Sequence, residues 1–254
     1  MFPIIPSTLA DQALIKKTRQ LACQWAFEYA AGSSEPFYLQ LTPEHLQLIT
    51  ADQSAGPVFI DFGSGAVDHR RKFGGGKGQT LAKAVGLHKT GSPVILDATA
   101  GMGKDAFVFA SLGASVILME RSPVSAALLS DALERGQNNP EISDIIKRMR
   151  FIFYDATNIT ENTIRQWPDK PDVIYLDPMF PHRKKTAQVK KEMLIFQKIT
   201  GSDLDSDQLL ATALNIAPKR VVVKRPIKAP YLNQQQPSYT LKMKKHRFDI
   251  YITS

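Results

Sequence analysis

Val94-Ile95-Leu96-Asp97-Ala98-Thr99-Ala100-Gly101-Met102-Gly103-Lys104-Asp105 is the stretch on which the fold turns. A short apolar run ends in a carboxylate, passes through a turn with two glycines, and enters a helical stretch over 106–112. Strand, glycine turn and helix in that order bring the backbone close to a ligand beside a helix N-terminus. A phosphate-binding loop of the form G-x-x-x-x-G-K-[ST] fails at both anchors, because residue 98 is alanine and Asp105 follows Lys104. A dinucleotide turn, G-x-G-x-x-G/A, fits with Ala106 in the last place, but Asp97 ahead of the turn would repel a pyrophosphate. The same carboxylate attracts an ammonium. S-adenosyl-L-methionine carries one, so Asp97, Gly101 and Gly103 are candidate contacts to that cofactor.

Outward from this unit, the apolar runs 116–119, 151–153, 173–176 and 221–223 alternate with helical stretches at 123–135 and 207–213. Such alternation predicts a parallel sheet covered on both faces. The run 248–252 alternates as an antiparallel edge strand does. Glu120 ends the second run, where a carboxylate can accept hydrogen bonds from ribose hydroxyls. Asp155 follows the third and, with Ala156 and Thr157, is expected to meet the adenine edge. Any one of these acids alone reads as a helix cap; three in order form a constellation.

After the fourth run stands Asp177-Pro178-Met179-Phe180-Pro181. Proline directly after a strand-ending acid forces the backbone out of the ladder into an exposed turn. The segment is similar to the [DNS]-P-P-[FY] motif of amino methyltransferases, with Met179 in place of the second proline. An exocyclic amine delocalises its lone pair into the base ring and is a poor nucleophile. Acceptors at the Asp177 carboxylate and the Pro178 carbonyl would engage its two N–H groups and aim the lone pair at a methyl donor, while Phe180 would stack on the base. The one cysteine, Cys23, lies far away in sequence, against a covalent thiolate route.

The 254 residues carry 32 Lys and Arg against 24 Asp and Glu, a formal charge of +8, with 43% hydrophobic content. That composition predicts a soluble globular protein with a polyanionic partner. No run approaches the roughly 18 apolar residues of a membrane span, and the N-terminus lacks a secretory pattern, so a cytoplasmic location is expected. A lone cysteine and no Cys/His cluster argue against a disulfide or a metal. Basic residues concentrate at Arg70, Arg71, Lys72 and Lys77, again at Arg183, Lys184, Lys185, Lys190 and Lys191, and around Lys219, Arg220, Lys224 and Arg225. Phosphates flanking an extruded nucleotide need such contacts. A further basic set occupies 242–247.

Residues 1–60 read as a small leading α+β unit. A helix is expected with Leu14, Leu21, Trp25 and Tyr29 on one face as far as Gly32, followed by strands over 37–41, 45–50 and 58–62. The glycine- and arginine-rich lead-in at 63–78 is expected to form neither a buried strand nor a stable helix.

With these motifs placed, the chain resembles the ribosomal RNA small subunit methyltransferase J family. The resemblance rests on Ala66-Val67-Asp68-His69-Arg70-Arg71-Lys72-Phe73-Gly74-Gly75-Gly76, on residues 97–107, on Asp177-Pro178-Met179-Phe180-Pro181-His182, and on Val189-Lys190-Lys191-Glu192-Met193. It continues through residues 219–226 and His246-Arg247-Phe248-Asp249-Ile250-Tyr251. It implies a Rossmann-like class I methyltransferase domain over 61–254, with a mostly parallel seven-stranded sheet and an antiparallel terminal strand. It further implies cofactor contacts at Lys104, Asp105, Glu120, Arg121, residues 155–157 and Asp177. The implied reaction is methyl transfer to the exocyclic N2 of a guanine in small-subunit ribosomal RNA, naked or in an assembled 30S-type particle. The motif chemistry alone would equally suit adenine, cytosine or a glutamine amide, so a methyltransferase of DNA adenine or of protein is an alternative, and a silent RNA-binding module is the non-enzymatic one.

Overall fold

The computed structural model describes residues 1–8, 10–52, 54–88, 91–179, 195, 198–199, 205–216 and 219–253. The leading segment forms β1 (Pro3–Pro6), α1 (Gln12–Trp25), β2 (Glu28–Tyr29), β3 (Phe37–Leu41) and β4 (Leu46–Thr50), in a sheet ordered β2-β1-β3-β4. β1 runs parallel to both neighbours, and β3 and β4 are an antiparallel pair. Asp11 caps α1 by accepting the Leu14 N–H at 2.8 Å. The helix ends at Trp25, short of Gly32, because Ala26 turns left-handed at φ 55° and frees Glu28–Tyr29 to pair with β1. The expected strand over 58–62 reduces to one bridge between Val58 and Leu48. Val58, Ile60 and Phe62 are each 2% exposed; their alternation marks burial in the core rather than a ladder.

Next come α2 (Gly65–Phe73), α3 (Thr80–Ala84), β5 (Val94–Asp97), α4 (Lys104–Ser111), β6 (Ser115–Glu120), α5 (Pro123–Gln137), α6 (Ser143–Ile146), β7 (Met149–Phe153), α7 (Glu161–Arg165) and β8 (Val173–Leu176). The described chain closes with α8 (Ser206–Asn215), β9 (Arg220–Pro226), β10 (Tyr239–Lys242) and β11 (His246–Ile252). The helix α2 corrects the expectation for the lead-in. Its glycines lie at the ends of the segment, the stretch 66–73 has none, and Asp68 pairs with Arg71 and Lys72 one turn on.

The main sheet has the order β10-β11-β9-β8-β5-β6-β7. β7, β6, β5, β8 and β9 are parallel; β11 pairs antiparallel with β9 and with β10. This is the α/β Rossmann-like architecture of class I methyltransferases. Strand order reverses at β5, between β6 and β8, and the crevice at the carboxyl ends of those strands is where such a sheet takes a ligand. One apolar cluster joins Ile4, Leu39 and Leu48 of the leading sheet to Phe107 and Leu128 of the helices on one face of the main sheet. Phe62 stacks on Phe107 with centroids 4.9 Å apart, securing the lead-in to α4. Burying each such side chain stabilises by about 1.5–3 kcal/mol.

Candidate active site

A cavity of about 650 Å³ opens at the switch point, within the range typical of small-molecule sites. Its floor is the glycine turn. Gly101 and Gly103 hold φ of +51° and +68°, and a Cβ on Gly103 would lie 2.8 Å from Leu129 Cδ1 and 3.1 Å from Phe62 Cζ. Both backbone conformation and packing therefore require glycine at 103. The Gly103 N–H closes the turn on the Ala100 carbonyl at 2.7 Å, and α4 begins at once with Lys104. Its first N–H groups face the cavity end of the sheet, a favourable place for a carboxylate.

Four of the five parallel strands, β5, β6, β7 and β8, each lead to one acid at this cavity. Asp97, at the end of β5, is 2% exposed and accepts the Thr99 N–H at 3.2 Å. Burial, reinforced by the nearby Asp105 carboxylate, pushes its pKa well above the ordinary range. Glu120, ending β6, accepts the Gly101 N–H at 2.8 Å on one oxygen and the Ser122 N–H at 2.7 Å on the other. That carboxylate ties β6 to the glycine turn and lines the cavity. Asp155, after β7, accepts the N–H and hydroxyl of Thr157 at 2.9 and 2.8 Å, with Ala156 beside it in the wall. Arg121 pairs with Asp205 and lies 3.6 Å from Asp155.

Opposite this row lies a cluster that links four elements. Asp105 of α4 accepts from Arg70 of α2 at 3.0 Å, from the Tyr175 hydroxyl of β8 at 2.7 Å and from Lys224 of β9 at 2.9 Å. Burial alone would raise its pKa, but Lys224, Tyr175 and Arg70 outweigh that and hold it at about 2. Lys224 also donates to Asp177 Oδ2 at 2.7 Å, and these two carboxylates hold its pKa above the ordinary lysine value despite burial. Asp177 itself is raised by burial, with Lys224 opposing the rise. Its backbone N–H donates to Thr99 Oγ1 at 2.7 Å, which fastens the Asp-Pro turn to the glycine turn.

The structure thus brings Asp97, Gly101, Lys104, Asp105, Glu120, Arg121, Asp155, Ala156, Thr157, Asp177 and Pro178 to one cavity. Gly103 shapes the turn beneath it. Arg70, expected to face a polyanion, lines the cavity instead with its guanidinium on Asp105 and Gln79. Arg71 and Lys72 pair with Asp68, and Lys77 is exposed. The basic set around β9 is likewise engaged within the protein. Lys219 pairs with Asp172, Arg220 donates to the Ala84 carbonyl, Arg225 to that of Pro230, and Lys224 lies in the acid cluster. Phe180, Arg183, Lys184, Lys185, Lys190 and Lys191 lie outside the described residues. Sequence reading passed over Thr99, Tyr175 and Asp205 as cavity residues. A hydroxyl in a run of aliphatic β-strand residues was the available signal for Tyr175.

The donor chemistry fits S-adenosylmethionine. A row of carboxylate acceptors suits its ammonium and ribose hydroxyls, and a helix N-terminus suits its carboxylate. Among the described residues no helix is long and apolar enough to cross a membrane.

Comparison with known proteins points the same way. The family model described as "Putative SAM-dependent methyltransferase" matches residues 20–253. A ribosomal RNA small subunit methyltransferase J from Psychromonas ingrahamii is 51% identical over 250 residues, covering 98% of this chain and 96% of its own length. The protein of that name from Aeromonas salmonicida is 54% identical over 218 residues, covering 85% of this chain and 86% of the relative. A SAM-dependent methyltransferase from Neisseria gonorrhoeae, known from its crystal structure, superposes with a TM-score of 0.77 at 35% identity, over 99% of this chain and 96% of that one. With about half of all positions shared along nearly the whole chain, this protein belongs to the ribosomal RNA small subunit methyltransferase J family of SAM-dependent methyltransferases.

Proposed function

We propose that the protein methylates the exocyclic N2 amine of a guanine in small-subunit ribosomal RNA. The observation that carries this reading is the Asp177-Pro178 turn, which opens into the same cavity as Asp97 and Glu120 and is fastened to the cofactor turn through Thr99. The relatives' names supply the ribosomal RNA; the guanine N2 follows from the family resemblance. S-adenosylmethionine, when bound, would supply an electrophilic methyl group on sulfur for transfer to that nitrogen, with one amine proton lost in exchange.

The chain's own residues supply alignment. Lys224 donates to Asp177 Oδ2, and Oδ1, which accepts from no side chain among the described residues, is the oxygen assigned to one amine N–H, with the Pro178 carbonyl assigned to the other. Both acceptors favour a pyramidal nitrogen with its lone pair directed at the methyl. Asp97 would hold the ammonium of the cofactor, Glu120 its ribose hydroxyls, and the 155–157 turn its adenine. The roles given to Phe180 on the base and to the basic run from Arg183 to Lys191 on flanking phosphates rest on the sequence alone.

Incubating the protein with tritiated cofactor and small ribosomal subunits from a strain lacking the gene should label the RNA, and mass spectrometry should place the methyl on one guanine N2. Labelling of DNA or protein in preference to those subunits would overturn the reading. RNA affinity should fall steeply with salt, and neutralising Lys184 and Lys185 should flatten the slope by roughly one to two contacts.

A further inference from the structure

We propose that Lys224 is the positioning residue of the methyl-acceptor site: it fixes the Asp177 carboxylate by one oxygen and thereby presents the other to the target amine. The proposal rests on the reading of Asp177 given above.

Geometry carries the inference. Lys224 Nζ lies 2.7 Å from Asp177 Oδ2 and 2.9 Å from Asp105 Oδ2. Asp105 cannot drift toward Asp177, because the Tyr175 hydroxyl holds the same oxygen at 2.7 Å and Arg70 holds the other at 3.0 Å. The ammonium is therefore anchored on one side by a carboxylate with three partners from three elements. On its other side it meets a carboxylate with no other side-chain partner among the described residues. That asymmetry has a direction. A side chain needed only to neutralise Asp105 would not have to reach a second, more exposed acid at the cavity wall, where Asp177 is 38% exposed against 13% for Asp105.

The chemistry asks for such a residue. A carboxylate swings about its Cβ–Cγ bond, and an acceptor that must meet one N–H of a planar amine loses alignment with small rotations. Engaging one oxygen in a charge-assisted bond fixes the plane of the group. A permanent cation also keeps the carboxylate ionised in a site where burial favours its protonation. The charged and titratable groups around Asp177 are Asp97 from β5, Asp105 from α4, Arg70 from α2, Tyr175 from its own strand, Lys224 from β9 and His246 from β11. Of the cations, only Lys224 touches Asp177 among the described residues. Lys224 stays protonated through the pH range of an assay, so its part is electrostatic and geometric, not proton transfer.

The test measures single-turnover methylation of unmethylated small subunits against pH for wild type, Lys224→Met and Lys224→Arg, with cofactor affinity by calorimetry. Lys224→Met should lower the rate at pH 7 at least tenfold while cofactor Kd moves less than threefold. The acid limb of its pH profile should shift to higher pH, since Asp177 has lost the cation that favours its charged form. Lys224→Arg, which restores a donor and a charge, should recover most of the rate and return the acid limb. An unchanged rate and limb in Lys224→Met would overturn the proposal. So would a rate equally low in both variants with no movement of the limb, the signature of a scaffold residue.

If Lys224→Met does not fold, the double variant Lys224→Met with Asp105→Asn removes one charge of each sign from the cluster and is read in the same way. Carbon-13 NMR titration of the Asp177 carboxyl needs no methyl acceptor. In Lys224→Met it should show a raised pKa even if ribosomal RNA is not the substrate, and an unmoved pKa would sink the Lys224–Asp177 coupling independently of that reading.

Discussion

Two charge clusters sit on the adjoining strands β9 and β11 and are built to opposite ends. Arg247 and Asp249 on β11 are 7% and 1% exposed at the side chain and close on themselves. Asp249 takes two guanidinium hydrogens, at 2.8 and 3.0 Å, and Arg247 Nη1 is shared among the carbonyls of Pro226, Ile227 and Ala229. The second cluster surrounds Lys224 on the adjoining strand β9. There two cations, Arg70 and Lys224, face three carboxylates, Asp97, Asp105 and Asp177, all lining an open cavity. One cluster closes on a bidentate ion pair away from the cavity, beside a second buried arginine, Arg225; the other gathers three carboxylates and two cations at the cavity wall, where burial pushes Asp97 toward its neutral form. A buried ion pair is by itself weak evidence of function, and access to the cavity is what separates the two.

The sharpest way to break this comparison is to remove Asp249. Asp249→Ala leaves Arg247 buried without its counter-charge and should destabilise the fold by about 3–5 kcal/mol, read by urea unfolding. Transfer per folded molecule should remain near wild type. A large activity loss in folded Asp249→Ala would mean that the Arg247–Asp249 pair also serves the site.

The mirror experiment is Asp177→Ala. Lys224 keeps Asp105 as a partner, so stability should change little, whereas single-turnover methyl transfer should fall by roughly a hundredfold or more. Asp177→Asn should retain part of the rate, because its amide oxygen still accepts a hydrogen bond without the charge. Near-wild-type transfer by Asp177→Ala would reduce the Asp-Pro turn to a strand terminator.

A smaller effect separates the acids within the open cluster by pH. The Asp105 carboxyl is depressed in the folded protein from 3.8 to about 2, so it contributes stability above its unfolded pKa that is lost as pH falls through about 2. Asp105→Asn should therefore cost on the order of 2 kcal/mol at pH 7, and the gap to wild type should narrow steadily between pH 4 and 2. Asp97 has the opposite sign. Its pKa is raised by burial, so its charge opposes folding above the unfolded pKa. Asp97→Asn should make the ligand-free protein more stable at pH 7 while weakening the cofactor. Equal pH slopes for the two variants in unfolding titrations would contradict the division of labour within the cluster.

Local patterns made the main sheet readable. Short apolar runs separated by helical stretches are the pattern of parallel strands between helices, and acids ending successive runs fall together at the carboxyl edge of such a sheet. Asp97, Glu120, Asp155 and Asp177 could thus be placed as a set, where any one alone would read as a helix cap. The leading unit was read less well for the same physical reason. β1 is four residues with proline at each end, and β2 is two residues cut from the end of a helical pattern by the left-handed turn at Ala26. Strands so short carry no period.

The lead-in misled in another way, since glycine density hid a nine-residue helix whose interior contains none. What sequence determined by itself was the fold class, the cofactor turn and the row of acids, because each is a contiguous signal whose chemistry is set by neighbours along the chain. What only the tertiary structure decided was the partnership of Arg70, Asp105, Tyr175, Asp177 and Lys224. These residues come from four elements up to 154 positions apart, Arg70 to Lys224. Coulombic pairing depends on distance in space, which no local pattern of residue types records.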